Sequence, residues 1–338
     1  MSYSKTFVVI DIFAVMRVKR FVLPNAKTGF CGGWRRICSY IYAYLPIGYL
    51  LVGLHSLLHR NKRYKYDVSL CLIFKNEAPY LKEWLEYYIL IGVDHFYLYN
   101  NNSTDNFAEV LEPYIRDGKV TLTDWERDYC QVGAYEHCYR SCKDETHWLG
   151  FLDTDEFLNI SVEEGNDVKK LLKKYEAWPS LFLFWRMFGT SGIMKEDCSK
   201  LVIERFSSCW PYLSNEGKSF INNDYEFSTI NVHWHKAKYL GVPLYGVMLN
   251  KMFDPYMELA PCRIKPKAYI NHYWSRSREY AIFKTFVRTD VLCKDLENIR
   301  KKNGMDFFEL QCSAKDYSIQ RWLVNLKEAL SIDNLSLK

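Results

Sequence analysis

The chain has 338 residues, 49% of them apolar and 25% charged, and this ordinary balance excludes an intrinsically disordered protein. Its 11 cysteines are an odd number without a Cys-x-x-Cys pair, which favours free thiols in a reducing compartment over a disulfide framework. The formal net charge of +5 hides an asymmetry, because residues 1–65 hold eleven Lys or Arg and one acid. Such a basic end invites an anionic partner, either nucleic acid or acidic phospholipid.

Within this basic arm, residues 37–59 carry no formal charge and are long enough to cross a bilayer as a helix. Pro46 and Gly48 interrupt the stretch, and basic residues flank it on both sides, which argues against a simple crossing. We expect a broken or interfacial helix that associates with the membrane. The alternative is a soluble helical arm packed on the following domain. The apolar stretch makes nucleic acid the weaker partner, so none is predicted.

From residue 66 the pattern changes to short apolar runs that alternate with helical periodicity. The predicted strands are 68–74, 95–99, 119–125 and 148–152, and the helices between them are 80–90, 106–114 and 131–142. Alternation of this length indicates βαβ units, which place the loops that follow the strands along one edge of a sheet. The sequence therefore predicts an α/β domain over residues 66–295, followed by a C-terminal helical tail over 296–338.

The most informative stretch is Phe151-Leu152-Asp153-Thr154-Asp155, in which an apolar run ends in two carboxylates one residue apart. A strand that ends this way holds Asp153 and Asp155 at its carboxyl edge, where open α/β sheets bind ligands. Two hard oxygen donors suit a divalent cation such as Mg²⁺ or Mn²⁺, which can in turn hold a diphosphate. The plainer interpretation is a solvated Asx turn after a buried strand.

Further stretches accompany the acid pair along residues 66–290. They are Lys75-Asn76-Glu77, Gly92-Val93-Asp94-His95-Phe96, residues 101–105, 185–192 and 202–206, Lys218-Ser219-Phe220, His233-x-His235 and Asn271-His272-Tyr273. In this order they resemble glycosyltransferase family 92, formerly a domain of unknown function, and the bacterial family 2-like GT-A glycosyltransferases. The resemblance implies a Rossmann-like GT-A fold, a mixed sheet with flanking helices that transfers sugars from nucleotide-diphospho-sugars, here preceded by a hydrophobic helical segment.

The resemblance also assigns roles to residues. A nucleotide sugar, expected to be a UDP-sugar, would be held by Lys75, Asn76, Glu77, Asn100, Asn102, Asp105, Asp153 and Lys218. Lys218 is the expected phosphate clamp. The family usually has Asp where Asn100 stands, so the contact to ribose would lack charge here. The acceptor would lie on Trp185, Phe188 and Gly189.

The same resemblance implies a metal centre formed by Asp153, Asp155, His235 and His272. Mn²⁺ or Mg²⁺ there would neutralise charge that develops on the leaving diphosphate. Transfer is expected to invert the anomeric centre, which requires a general base, and Asp224 and Glu204 are the candidates.

The predicted function is a metal-dependent glycosyltransferase at the cytoplasmic side of a membrane. Its acceptor is expected to be a carbohydrate or a lipid-linked glycan. Two alternatives stay open, namely a metal-dependent hydrolase that uses the same Asp/His cluster, and a non-catalytic membrane-surface protein.

Overall fold

The computed structural model describes residues 47–58, 62–127, 131–214, 216–239, 242–244, 246–248, 266–286 and 305–335. The helices are α1 (Ile47–Leu58), α2 (Ala78–Leu90), α3 (Phe107–Arg116), α4 (Gln131–Cys142), α5 (Val168–Lys173), α6 (Val202–Arg205), α7 (Arg278–Phe286), α8 (Met305–Leu310) and α9 (Leu323–Leu335). The strands are β1 (Tyr66–Phe74), β2 (His95–Asn100), β3 (Val120–Asp124), β4 (Thr146–Phe151), β5 (Glu156–Ile160), β6 (Ser180–Met187), β7 (Ser208–Cys209), β8 (Gly217–Asn222), β9 (Glu226–Thr229), β10 (Lys236–Tyr239), β11 (Val242–Leu244), β12 (Val247–Met248), β13 (Ala268–His272) and β14 (Ala314–Lys315).

Within the described ranges, the central sheet contains nine strands in the order β3-β2-β1-β4-β8-β6-β13-β5, with β12 beside β6. Strands β1 to β4 run parallel to one another, whereas β8 lies antiparallel between β4 and β6 and β5 lies antiparallel to β13. The sheet is therefore mixed, with helices on its faces. This confirms the α/β class predicted from the sequence.

Strand β1 shows why the apolar runs form a sheet with two covered faces. Leu70 and Leu72 point into the core beneath α2, while Cys71 and Ile73 point into a second core beneath α4. Successive side chains of a strand face opposite sides, so a strand buried on both faces is a continuous apolar run. The six cysteines within the described ranges are free thiols.

The strand directions define one functional edge of the sheet. Strands β1, β2, β3, β4, β6 and β13 run the same way and β8 runs against them, so the carboxyl ends of these six strands and the amino end of β8 lie there. We call this the carboxyl edge. It brings together Asp153 after β4, Trp185 on β6, Lys218 on β8 and His272 on β13. These positions are far apart in sequence, so only the pairing of strands places them side by side.

The C-terminal tail packs on the α/β domain over its described residues. Helix α9 lies against α2, with Leu326 fully buried in the main core. Asp316 accepts a hydrogen bond from Arg186 at 2.8 Å and another from the Tyr269 hydroxyl. The tail therefore covers the domain.

Helix α1 belongs to the hydrophobic segment predicted at residues 37–59, of which 37–46 and 59 lie outside the described residues. His55 stacks on Tyr225 with ring centroids 3.8 Å apart, so α1 rests on the domain. Leu54, Leu57 and Leu58 remain exposed on the helix. No helix within the described ranges combines the length and apolar character needed to cross a bilayer.

His95 at the start of β2 gives a testable pH dependence of stability. Its buried ring lies 3.1 Å from the Gly118 carbonyl and 2.8 Å from the Thr121 hydroxyl, contacts that a neutral imidazole satisfies. Burial lowers the pKa of His95 to about 4. The unfolded chain takes up this proton near pH 6.5, so stability present above that pH is lost as pH falls towards 4, by at most about 1.4 kcal/mol per unit.

We expect His95→Gln to make this acid-induced loss of stability shallower. Urea unfolding of both proteins at pH 4.5, 5.5, 6.5 and 8 would measure the slopes. Equal slopes between pH 4.5 and 6.5 would contradict the prediction.

Candidate active site

The turn that joins β4 to β5 is held from three sides. The Asp153 amide donates to Glu156 Oε2 at 2.9 Å, and the Trp84 indole donates to the Asp153 carbonyl at 3.0 Å. The Tyr273 amide donates to the Asp155 carbonyl at 2.8 Å. These bonds fix the backbone of the turn, so the two carboxylates occupy defined places at the carboxyl edge.

Asp153 is bound to a buried lysine. Its Oδ2 accepts from Lys218 Nζ at 2.9 Å, and its Oδ1 accepts from Gln131 and the Tyr135 hydroxyl at 3.1 and 3.2 Å. Burial alone would lower the pKa of Lys218, but Asp153 and Glu156 outweigh it and raise this pKa. The Lys218 side chain is only 1% exposed, so it contacts Asp153 from the interior of the fold. The role of Lys218 as a phosphate clamp stays a prediction, and in this structure its ammonium pairs with Asp153.

Glu156 completes the group beneath the turn. Its side chain is fully buried 3.8 Å from Lys218, and burial raises the pKa of its carboxyl well above the usual range. Its Oε1 atom has no hydrogen-bond partner in the described part of the chain. Glu156 therefore contacts Lys218 and accepts the hydrogen bond from the Asp153 amide inside the fold.

Asp155 is a buried carboxylate that lies beside Lys284 and His272. Lys284 Nζ on α7 lies 2.5 Å from its Oδ2, and His272 Nε2 lies 3.7 Å from its Oδ1. Burial by itself disfavours the charged form, but Lys284 and His272 outweigh it and hold the pKa of Asp155 well below its usual range. Asp155 is therefore ionised at neutral pH, as a metal ligand must be.

The donors around Asp155 are compatible with a divalent cation that the substrate completes. Asp155 offers oxygen and His272 a neutral imidazole, since burial lowers the pKa of His272. The Nδ1 atom of His272 is buried and has no hydrogen-bond partner among the described residues. No group of three or more His, Cys, Asp or Glu ligands occurs in the described ranges. Mg²⁺ in phosphate sites commonly takes one or two protein carboxylates plus water and substrate phosphates, so two donors suffice.

His235, also predicted as a ligand, lies elsewhere. Its ring packs on Phe151 with centroids 4.8 Å apart, and its Nδ1 accepts from the Asn231 amide at 3.3 Å. Burial lowers the pKa of His235 to about 3. Among the described residues, no hydrogen bond or ion pair joins it to Asp153 or Asp155, so its role as a metal ligand stays a prediction.

The loops after β1 and β2 are bound to each other at the carboxyl edge. Asn76 Oδ1 accepts from the Thr104 amide at 2.7 Å, and Asp105 Oδ2 accepts from the Ala78 amide at 2.8 Å. Asn76 and Asn102 both adopt a left-handed backbone with φ near 54°, which asparagine tolerates better than most residues. Lys75 in the same loop is half-buried. The loops thus share a cleft, as the strand pattern predicts.

Asn100 occupies the end of β2. Its amide nitrogen donates to Asp124 Oδ1 at 2.9 Å, and its carbonyl oxygen accepts from the Ser103 amide at 2.9 Å. The amide thus couples β2, β3 and the following loop. A carboxylate in its place would face Asp124 with like charge.

The two residues predicted as the general base do not lie beside the acid pair. Asp224 follows the far end of β8, at the edge of the sheet opposite Asp153, and accepts from the Tyr64 hydroxyl at 2.8 Å. Glu204 pairs with Lys327 of the tail at 2.7 Å. Strand β8 runs antiparallel to β4, which the sequence alone did not reveal, and this direction carries Asp224 away.

The residues predicted to contact the acceptor divide into two groups. Trp185 packs between His233 and His272, with centroid distances of 5.2 and 4.4 Å, at the carboxyl edge. Phe188 is fully buried, and a Cβ added to Gly189 would lie 2.6 Å from Cys312 Sγ of the tail. The tail therefore covers Gly189, and the acceptor contact at Phe188 and Gly189 stays a prediction.

The model of glycosyltransferase family 92 matches residues 65–289. The chain belongs to glycosyltransferase family 92. This membership confirms the resemblance seen in the sequence, and it agrees with the mixed α/β sheet described above.

Plant proteins are among the relatives of this family 92 chain. A Ricinus communis glycosyltransferase family 92 protein is 27% identical over 222 residues, which are 61% of this chain and 38% of that protein. The Arabidopsis thaliana galactan beta-1,4-galactosyltransferase GALS3 is 30% identical over 138 residues, 37% of this chain and 27% of that protein. The matched regions thus span well under half of these relatives. A crystal structure of S. aureus TarS superposes on this chain with a TM-score of 0.33 and 13% sequence identity. The superposition covers 46% of this chain and 47% of TarS.

The family 92 domain contains two cations at the site that sequence reasoning missed. Lys284 pairs with Asp155, and Arg276 is fully buried with Nη1 2.9 Å from Glu77 Oε2. Arg276 also donates to Thr154 Oγ1 at 3.3 Å and stacks on the Tyr80 ring at 3.4 Å. Arg276 therefore ties the loop after β1 to the acid turn. The polar run Ser275-Arg276-Ser277 has no apolar periodicity that would indicate burial. Sequence reasoning therefore did not identify Arg276.

Proposed function

We propose that this chain transfers a sugar from a nucleotide-sugar donor, expected to be a UDP-sugar, to a carbohydrate acceptor. The observation that carries the proposal is the ionised, buried Asp155 beside His272 at the carboxyl edge of a family 92 fold. Asp155 and His272 would hold Mn²⁺ or Mg²⁺. When bound, the ion acts as a Lewis acid on the departing diphosphate.

The protein's own groups prepare this site before the donor arrives. Lys218 and Glu156 keep Asp153 oriented, and its partly exposed carboxylate faces the cleft, where a ribose hydroxyl or the cation would meet it. The loops after β1 and β2, which carry Asn76 and Asn102 and are hydrogen-bonded to each other, would bind the nucleoside. Preorganised groups of this kind cost no reorganisation at the moment of reaction.

An exposed aromatic ring near the site is a candidate contact for the acceptor. Trp234 is 42% exposed and follows His233, whose ring contacts Trp185. Sugar C–H faces stack on such rings, so Trp234 is a candidate platform that the sequence reasoning overlooked. Because two relatives are named galactan beta-1,4-galactosyltransferases, a galactosyl donor and a β-galactan acceptor are the first pair to test. Inversion remains our expectation, and we name no base because Asp224 and Glu204 lie away from the acid pair.

The test is a thermal-shift and calorimetric screen of nucleotide sugars with and without Mn²⁺, followed by mass spectrometry of reaction products. A ligand bound only by the folded state raises its stability by mass action. We expect a UDP-sugar with Mn²⁺ to raise the melting temperature and to yield an extended glycan. Nucleotide-independent hydrolysis would favour the metal-dependent hydrolase, and the absence of both binding and turnover would favour the non-catalytic protein.

We also propose that the chain works at the cytoplasmic surface of a membrane, on a lipid-linked or surface-bound glycan. Support comes from the basic arm and from the exposed Leu54, Leu57 and Leu58 on α1, which lie three and four residues apart on one helix face. We expect the full chain to float with anionic vesicles, and substitution of the three leucines by Ser to reduce flotation several-fold. Equal flotation of both proteins would count against a role for this face.

A further inference from the structure

The two aspartates of the turn are each bound by a lysine, but the two lysines differ. Lys218, under Asp153, has a side chain that is 1% exposed and is enclosed by Glu156 and Tyr135. Lys284, on Asp155, reaches in from α7, is 17% exposed and also lies 3.5 Å from the Trp274 carbonyl. Lys218 is therefore fixed within the fold, whereas Lys284 stands at the border with solvent.

Lys284 is the cation that neutralises Asp155. Other cations nearby have their own anions, since Lys218 pairs with Asp153 and Arg276 pairs with Glu77. The ammonium lies 2.5 Å from Asp155 Oδ2, against 3.7 Å for the imidazole of His272. Lys284 thus occupies one oxygen, Oδ2, of the carboxylate on which the proposed metal ion would bind, whereas Oδ1 faces His272.

A divalent cation on Asp155 and this ammonium repel each other, because two like charges a few ångströms apart interact strongly in a poorly solvated site. Lysine carries its charge on a flexible four-carbon stem, so Nζ can leave while α7 stays in place. The proposed donor brings a diphosphate, whose oxygens are a natural new partner for an ammonium.

We propose that Lys284 is a diphosphate-binding residue that holds Asp155 until the donor and its cation arrive. This inference rests on the proposed function. Its consequence is coupling, because metal alone binds against the charge of the paired Lys284, whereas metal with nucleotide provides the lysine with a replacement anion. By linkage, each ligand then raises the affinity for the other by the same factor.

The experiment is calorimetric titration of the full chain with Mn²⁺ alone, UDP alone and UDP in the presence of Mn²⁺. We expect Lys284→Met to bind Mn²⁺ alone about tenfold more tightly and UDP about tenfold more weakly than the parent, with reduced coupling. Lys284→Arg keeps the charge and should retain most of the UDP affinity. Lys173→Met, an exposed lysine of α5, is the matched control and should behave as the parent. A melting curve for each variant establishes that it is folded.

Tighter binding of Mn²⁺ alone together with weaker binding of UDP is the decisive result, since loss of a lysine that only neutralises Asp155 would not weaken the binding of UDP. Parental UDP affinity of folded Lys284→Met, or unchanged or weaker Mn²⁺ binding by it, would overturn the role of Lys284 and leave the proposed function standing. Failure of the parent to bind UDP under any condition would instead overturn the proposed function.

Discussion

Asp155→Asn is expected to lower the rate of sugar transfer by about 10³-fold, equivalent to about 4 kcal/mol of transition-state stabilisation. The substitution keeps the size of the side chain but removes the charge that Lys284 and His272 stabilise. Asparagine offers one weaker oxygen donor, so neither a divalent cation nor the diphosphate beside it would be held in place.

The loss of rate must be separated from a loss of folding. Removing one partner of a buried ion pair is strongly destabilising, but Lys284 is partly exposed and can extend its ammonium into water. We therefore expect Asp155→Asn to unfold cooperatively, and turnover and melting should be measured on the same preparation. Asp144→Asn alters an exposed carboxylate paired with Lys62 and serves as the control. Turnover of Asp155→Asn within a few-fold of the parent would exclude Asp155 from the chemistry.

Arg276→Met is expected to destabilise the fold by about 3–5 kcal/mol, because it leaves Glu77 ionised, buried and without its guanidinium. The Tyr280 hydroxyl also donates to Glu77 at 2.9 Å, but a neutral hydroxyl cannot balance the charge. Urea unfolding would measure the change. Because Arg276 joins the loop after β1 to the acid turn, we also expect weaker donor binding in the fraction that remains folded.

A double-mutant cycle distinguishes the ion pair from simple loss of packing. Glu77→Gln combined with Arg276→Met should be less destabilised than the sum of the single variants, since no buried charge is then left alone. Arg140→Met, which removes an exposed arginine paired with Glu136, should change stability by no more than about 0.5 kcal/mol. Additive effects of the two buried substitutions would show that the pair contributes nothing beyond its two side chains.

Local patterns determined much of the structure of residues 66–160. The apolar runs predicted strands at 68–74 and 95–99 and a helix at 131–142, and the structure has β1 at Tyr66–Phe74, β2 at His95–Asn100 and α4 at Gln131–Cys142. The acid pair at the end of β4 was likewise predictable. Each of these features depends on residues close in sequence, whose periodicity reports which face is buried.

Tertiary structure alone decided which charges meet. The bonds of Lys218 to Asp153, Lys284 to Asp155 and Arg276 to Glu77 join residues 65, 129 and 199 positions apart. It also decided that the tail covers Gly189 and that β8 carries Asp224 to the opposite edge. The physical reason is that strand direction and tail docking depend on the pairing of distant surfaces, for which local periodicity contains no information. The sequence shows which charged side chains need an ion-pair partner when they are buried. Only the tertiary structure determines which residue that partner is.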